Sequence, residues 1–421
     1  MDGRRWLRRV AIDVTPLRVS REYRHLWFGL LATTSGSQFT VVAVFVQLTR
    51  LTGSEVAVGA SGLVWFVGLI AGTLVFGPVI DVWDRRRLLA IAQLGLAAAT
   101  ATLLLGSTMD APPLALIYTA LGIAAAFSAL DSPTRAAMTP RLIGAELIPA
   151  AQALNQVVWN GSGLVGPAVA GIVIGRFGLT TAYVIDLASI FVMLGAALTL
   201  PPIHPEGHGA NATGWAAIRE GFAFVRGSRL ILSTFVIDLF AMVFGMPRAL
   251  FTFLIVDQFH HSEELVGLLF SAPAVGAFIG AMASGWTRRV DRQGLAVIWA
   301  VAAWGASIAV FGWSGSHLWL GLLALALAGW ADVISAIFRS TILQLEVPDR
   351  LRGRLSAIHI LVVAGGPRLG DLEAGLVARA VSPTFSVVSG GLVCLAGAGL
   401  VGLGFPELKR YRARARTGAE D

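Results

Sequence analysis

Nine ionisable side chains stand inside long apolar runs of this sequence: Asp131, Asp186, Asp238, Arg248, Asp332, Arg339, Arg368, Asp371 and Glu373. A charge withdrawn from water is expensive, so each needs a partner or a purpose. Carboxylates in such places can hold and release protons, and arginines can pair with them. Arg368 and Asp371 are three residues apart, which puts them on one helix face where they can pair. That spacing reads equally as a structural ion pair and as part of a gate or coupling device. Arg248 and Glu373 belong to the same candidate set. Asp238 and Asp332 each fall about 10–12 Å from the charged end of their runs, at 1.5 Å per helical residue. Two carboxylates at one depth could share a proton and carry it. Asp131 and Arg339 lie nearer the charged edge and read as interface charges. Gln38, with Thr34 and Ser37, and Asn155, Gln156, Trp159 and Asn160 could line a cavity with polar and aromatic groups. Hydrogen bonds between helices are an equal reading for each.

Other chemistries are excluded. Cys394 is the sole cysteine and Lys409 the sole lysine. No intrachain disulfide, cysteine-based metal site or Gly-Lys-Ser/Thr phosphate loop can therefore be written. The adjacent His260 and His261 are a weak metal pattern, and no His-Glu-x-x-His or clustered nucleophile and base occurs, so neither an enzyme nor a metal or other cofactor is expected. The net charge of +7 does not indicate nucleic acid, because the charges sit between apolar runs. Residues 1–24 carry seven arginines and no apolar stretch long enough for a cleavable signal.

The elements that position these residues are membrane spans. Apolar residues make up 56% of the 421 and charged residues only 14%, against about 25% charged in soluble domains. Spans are predicted at 25–49, 56–78, 88–107, 112–132, 152–175, 178–200, 230–256, 264–286, 294–313, 317–338, 355–379 and 383–405. Each must be helical, since lipid offers the backbone no partners. With the N-terminus in the cytoplasm, the cytoplasmic segments hold 27 Lys and Arg and the outer loops three, Arg50, Arg176 and Arg379. The positive-inside rule then places both termini in the cytoplasm and makes the number of spans even. The chain divides into a basic tail (1–24), a six-helix bundle (25–200), a linker with an amphipathic helix from Trp215 to Val225 (201–229), a second six-helix bundle (230–406) and a tail (407–421).

The two bundles repeat at a shift of 208 residues: Gly59 maps on Gly267, Gly68 on Gly276, Gly72 on Gly280, Gly77 on Gly285 and Pro140 on Pro348. Odd span meets odd span, so the halves share one orientation, as in parallel-repeat transporters. After the second span, Gly77-Pro78-Val79-Ile80-Asp81-Val82-Trp83-Asp84-Arg85-Arg86-Arg87 resembles the Gly-x-x-x-Asp-x-x-Gly-Arg-Arg loop of the major facilitator superfamily. Gly77 is expected to let helices approach closely. Asp84 stands where the family has Gly, which puts the turn geometry in question. In the fifth span, Ser162-x-x-x-Gly166-Pro167-x-x-Ala170-Gly171 resembles the antiporter motif Gly-x-x-x-Gly-Pro-x-x-Gly-Gly, with Ser162 and Ala170 in place of Gly.

Phe244-Gly245-Met246-Pro247, the run Leu343–Arg354 and Gly365-Gly366-Pro367-Arg368-Leu369-Gly370-Asp371-Leu372-Glu373-Ala374-Gly375 are similar to the enterobactin-exporter-like and macrolide-efflux-like branch of that superfamily. The resemblance implies an all-α membrane protein of twelve helices in two parallel six-helix repeats. It implies a monomer in the cytoplasmic membrane that exports an amphipathic small molecule, siderophore or drug, by alternating access with protons as the coupling ion. Asp81 would meet the positive end of the eleventh helix as a cytoplasmic latch, with Gly77, Arg85 and Arg86. Spans 1, 4, 7 and 10 would line the cavity, which makes Asp238 and Asp332 the best-placed carboxylates. The Gly-Pro pair at 366–367 would break the eleventh helix. Besides protons and cargo, membrane lipid is an expected partner, and a lipid flippase or a membrane protein without transport function stays open as the alternative.

Overall fold

The computed structural model describes residues 13–80, 82–204, 222–347 and 349–412. Among them every regular element is helical. We number the crossings α1 (Arg21–Thr52), α2 (Glu55–Ile80), α3 (Arg85–Ser107), α4 (Leu114–Ile143), α5 (148–177), α6 (179–199), α7 (Arg229–Asp257), α8 (Val266–Met282), α9 (Gln293–Trp313), α10 (Leu318–Glu346), α11 (Asp349–Ala380) and α12 (Pro383–Gly404). The helical run Ile148–Thr199 holds 52 residues. As one rod it would be about 78 Å long, far beyond a hydrocarbon core of about 30 Å. Gly178 divides it, with φ 83° and ψ 171°, a conformation that glycine adopts without strain. The predicted pair of spans is thus real, and the turn between them is one residue.

The structure departs from the predicted elements in the length of three helices and in which helix is broken. The helices α4, α10 and α11 run well past their expected ends, to Ile143, to Glu346 and back to Asp349. A helix need not stop where the hydrocarbon does, and α4 at 30 residues reaches about 45 Å, the depth of core plus interface. The break expected in α11 is absent, since Asp349–Ala380 is one helix with Pro367 inside it. The break falls in α7 instead: helix Arg229–Phe244, a 3-10 turn Arg248–Leu250 after Pro247, then helix Phe251–Asp257. The Gly245 carbonyl freed there accepts from the Trp304 indole N–H at 2.9 Å. Of the amphipathic linker helix, only residues 222–227 are described. They are helical, and Val225 is buried with Ile231, Phe235, Val347 and Leu355.

Contacts group the chain into two units. Unit 1 comprises residues up to Gln47 and Val67–Gly207; unit 2 comprises Leu48–Phe66 and the chain from His208 onward. Chain order alone would cut at the linker. The end of α1 and the start of α2 pack with unit 2 because Thr49 bonds Thr252 at 2.7 Å and Arg50 pairs with Glu263 at 2.5 Å. The start of α2 also lies flush on α11: a Cβ on Gly62 would stand 2.6 Å from the Arg368 carbonyl oxygen, and one on Gly375 2.5 Å from that of Glu55.

Within unit 1, Gly68 and Gly72 of α2 rest on Gly122 and Ala126 of α4. Within unit 2, their repeat mates Gly276 and Gly280 of α8 rest on Ala326 and Trp330 of α10. Small residues bring helices together in lipid, where apolar side chains gain little from each other over lipid tails. Gly77 and Gly285 do not share this role, for no described atom lies within 4 Å of where their Cβ would be. Unit 1 centres on Leu26, Leu30, Leu89, Met138, Val158 and Met193.

Candidate functional site

A cavity of about 210 Å³ opens within unit 1 between α1, α4 and α5. Tyr23 and Trp27 come from α1, Arg135 and Thr139 from α4, and Gln152, Asn155, Gln156 and Trp159 from α5. The α5 residues recur at three- and four-residue steps, so they fall on one helix face. Trp159 is 53% exposed, and Gln156 donates to Asn160 at 3.1 Å. Arg135 is held in place by Asp131: its Nε lies 3.1 and 3.0 Å from the two carboxylate oxygens and Nη2 2.6 Å from Oδ2. Gln93 of α3 donates to Asp131 at 2.8 Å. Asp131 is thus a buried anchor rather than an interface charge. Gln38 is not in the cavity wall. Its side chain lies against Gly166, where a Cβ would come within 2.6 Å of Gln38 Cγ, and Ser162 bonds Ser35 at 3.0 Å. The antiporter-like motif therefore faces α1, with Ser162, Gly166, Pro167 and Gly171 all buried.

The loop after α2 gives the charged residues local duties. Asp84 caps α3 by accepting from Arg86 N at 3.1 Å, and also accepts from Ile203 N at 3.0 Å. Its φ is −58°, so the position does not need the glycine of the family loop. Arg85 donates to the Ala137 carbonyl at 2.8 Å and Arg86 to the Leu198 carbonyl at 2.7 Å, near the ends of α4 and α6 where helix dipoles favour cations. Asp81 lies outside the described residues.

In unit 2, Asp238 of α7 forms an ion pair with Arg339 of α10, and Arg339 Nη2 lies 4.0 Å from Asp332. Asp238 and Arg339 are buried, while Asp332 is half-buried. The two carboxylates predicted to share a site are joined by a cation that position in the sequence marks only as an interface charge. One clue is present there: Asp332 and Arg339 are seven residues, two helical turns, apart.

The second charged group of unit 2 gathers at the α7 break. Asp371 Oδ1 accepts from Ala249 N at 3.1 Å, and its Oδ2 has no hydrogen-bond partner among the described residues. Arg368 does not pair with Asp371 as its spacing allowed; its guanidinium lies 5.1 Å from the centre of the Trp65 ring, a cation–π contact. Arg248, whose Nε is buried without a hydrogen-bond partner among the described residues, stands close enough to act electrostatically on both Asp371 and Arg368. Glu373 is half-buried and makes no hydrogen bond or ion pair among the described residues.

Twelve helices arranged as two six-helix repeats are the architecture of major facilitator transporters, and this chain has that fold. It spans 93% of itself and 99% of the nucleoside transporter NupG with a TM-score of 0.71 at 16% identity. With a bacterial homologue of the iron transporter ferroportin the TM-score is 0.66, also at 16% identity, over 93% and 99% of the two chains. A family model described as "Transmembrane secretion effector" matches residues 12–416, and the chain belongs to that family. It is 27% identical to the enterobactin exporter EntS of Citrobacter koseri, over 98% of this chain and 97% of the relative. With the enterobactin exporter EntS of Salmonella typhi it shares 28% identity over 98% of both.

Proposed function

We propose that this transporter exports an amphipathic small molecule, a siderophore or drug, from the cytoplasm by alternating access, driven by the inward proton gradient. The observation that carries the reading is the cavity of unit 1. Two indoles and a phenol offer flat apolar faces, three amides offer donors and acceptors, and Arg135 offers a positive charge fixed by Asp131. That combination suits a cargo with aromatic rings and several polar groups, which pockets of this kind hold by apolar contact and orient by a few polar ones. Likeness to enterobactin exporters over nearly the whole chain supports the same reading. The excess of arginine on one side supports a cytoplasmic-membrane protein with both termini inside. On the coupling side, Asp332 is the accessible member of the triad, and its protonation would leave Arg339 to Asp238 alone. The latch at Asp81 belongs to this proposal as well.

The test uses inverted membrane vesicles from cells expressing the full chain, loaded by respiration with an acidic lumen and given radiolabelled enterobactin. Uptake above that of empty-vector vesicles, abolished by a protonophore, is the expected result. Absence of uptake for enterobactin and for a panel of amphipathic drugs, with fluorescent lipid scrambled instead, would overturn it in favour of a flippase.

A further inference from the structure

Unit 1 contains a second buried carboxylate that no role above uses. Asp186 of α6 is only 4% exposed. Its Oδ2 accepts from the Thr40 hydroxyl of α1 at 2.6 Å and from the Thr100 hydroxyl of α3 at 3.1 Å. The Ser189 hydroxyl lies 3.5 Å from Oδ1 and donates to the Asp186 backbone carbonyl at 2.7 Å. At Gly36, α1 passes so near that a Cβ would stand 3.1 Å from Oδ1. No charged side chain reaches this carboxylate among the described residues. The facing groups are Thr40 and Gly36 from α1 and Thr100 from α3. The one titratable neighbour is Tyr183, a turn earlier on α6, and its hydroxyl donates to Gln47 of α1 at 2.6 Å.

The chemistry of these donors separates Asp186 from the other buried carboxylates. Asp131 is clasped by a guanidinium, Asp238 is paired with one, and Asp371 accepts a backbone N–H. Guanidinium and amide N–H groups donate only, so they cannot accept from the O–H that protonation puts on a carboxylate. A hydroxyl both donates and accepts. A ring of hydroxyls can therefore donate to the anion, or turn and accept from the acid, with no heavy atom displaced. A site that must exist in both protonation states needs that property, and a purely structural anion does not.

We propose that Asp186 is a proton-binding site of unit 1, with Thr40 and Thr100 as the hydroxyls that serve both of its protonation states. On uptake, a proton from water forms an O–H bond on the carboxylate, and one hydroxyl turns from donor to acceptor. On release the bond breaks, the proton returns to water, and the hydroxyl turns back. The anion binds α1 and α3 through charge-assisted bonds that are about twice as strong as neutral ones, so protonation loosens the grip of α6 on both. The inference rests on the proton-coupled reading above, but its test needs no cargo.

Full-length protein in lipid bilayers, titrated between acid and alkali, is followed by infrared difference spectroscopy in the carboxylic-acid carbonyl region. The wild type should show a protonatable buried carboxyl band that D186N lacks. T100V, which keeps the carboxylate and removes one hydroxyl, should keep the band and move its midpoint. An unchanged band in D186N would overturn the proposal. Should D186N fail to reach the membrane, an unmoved midpoint in T100V overturns it alone. A merely structural Asp186 would not titrate across this range, so D186N would remove no band that the wild type shows. In enterobactin vesicles, D186N should keep exchange and lose pH-driven accumulation. Wild-type vesicles that do not take up enterobactin refute the cargo, and the infrared band alone then decides the case of Asp186.

Discussion

The triad of unit 2 makes a quantitative prediction. Asp238 and Arg339 are nearly inaccessible, and Asp332 lies 4.0 Å from the same guanidinium with its side chain 30% exposed. Removing one member of a buried pair strands the other charge, at a cost of about 3–5 kcal/mol. Asp238→Leu and Arg339→Leu should each cost about that much, for opposite reasons: the first leaves the cation only the longer contact to Asp332, the second leaves Asp238 an unpaired anion. At 4.0 Å an ion pair is worth about 4 kcal/mol at an effective dielectric of 20. Water at the exposed side of Asp332 lowers this, and Asp332→Asn should cost about 1–2 kcal/mol. The double variant Asp238→Leu/Arg339→Leu removes the buried pair together, which is often neutral. What is left is the lost Asp332 contact, again about 1–2 kcal/mol, against a sum of about 6–10 for the single changes. Unfolding by sodium dodecyl sulfate in mixed micelles measures all four. A double variant as unstable as the sum of the singles would refute the idea that Arg339 and Asp238 stabilise each other.

Trp159→Ala should raise the KM for enterobactin in inverted vesicles about tenfold, the loss of one aromatic contact of about 1–1.5 kcal/mol, while protein yield holds because the ring is half-exposed. Gly62→Leu drives a side chain into the Arg368 carbonyl on α11. It should destabilise unit 2 by about 1–3 kcal/mol in the same micelle titration, whereas Gly77→Leu, with open space around it, should be near neutral. Asp84→Ala removes the cap of α3 and the acceptor for Ile203 N. A loss of about 1 kcal/mol is expected, and Asp84→Asn, which also caps, should recover most of it.

The spans are legible in the sequence because lipid permits few solutions: about 20 apolar residues in a row must be a helix, and their order gives the fold. The turn at Gly178 is legible for the same reason, through length. What composition does not convey is who meets whom. Arg368 and Asp371 have the spacing of an ion pair, yet Trp65 and the Ala249 N–H hold them, and both partners come from distant parts of the chain. Arg339 is easily discounted because its repeat mate is Asp131, a residue of opposite charge. The repeat preserves position without preserving sign. Pro367 has the look of a breaker, but the motif at Gly245–Pro247 breaks its helix instead, where Trp304 is available to satisfy the open carbonyl.

The fastening at the start of α3 has a consequence for biosynthesis. Its donors and acceptors are made far apart in time. Arg86 waits 112 residues for the Leu198 carbonyl, and Asp84 waits 119 for the Ile203 N–H. At about 5–20 residues per second on the ribosome, the second interval is roughly 6–24 s. During it α3 has been made, but its N-terminal end carries open arginines and a cap only partly used. A nascent chain stopped before Leu198 leaves that end unfinished, and one extended past Ile203 closes it. Unit 1 is therefore completed by the arrival of four residues after α6, not by the insertion of α6 itself.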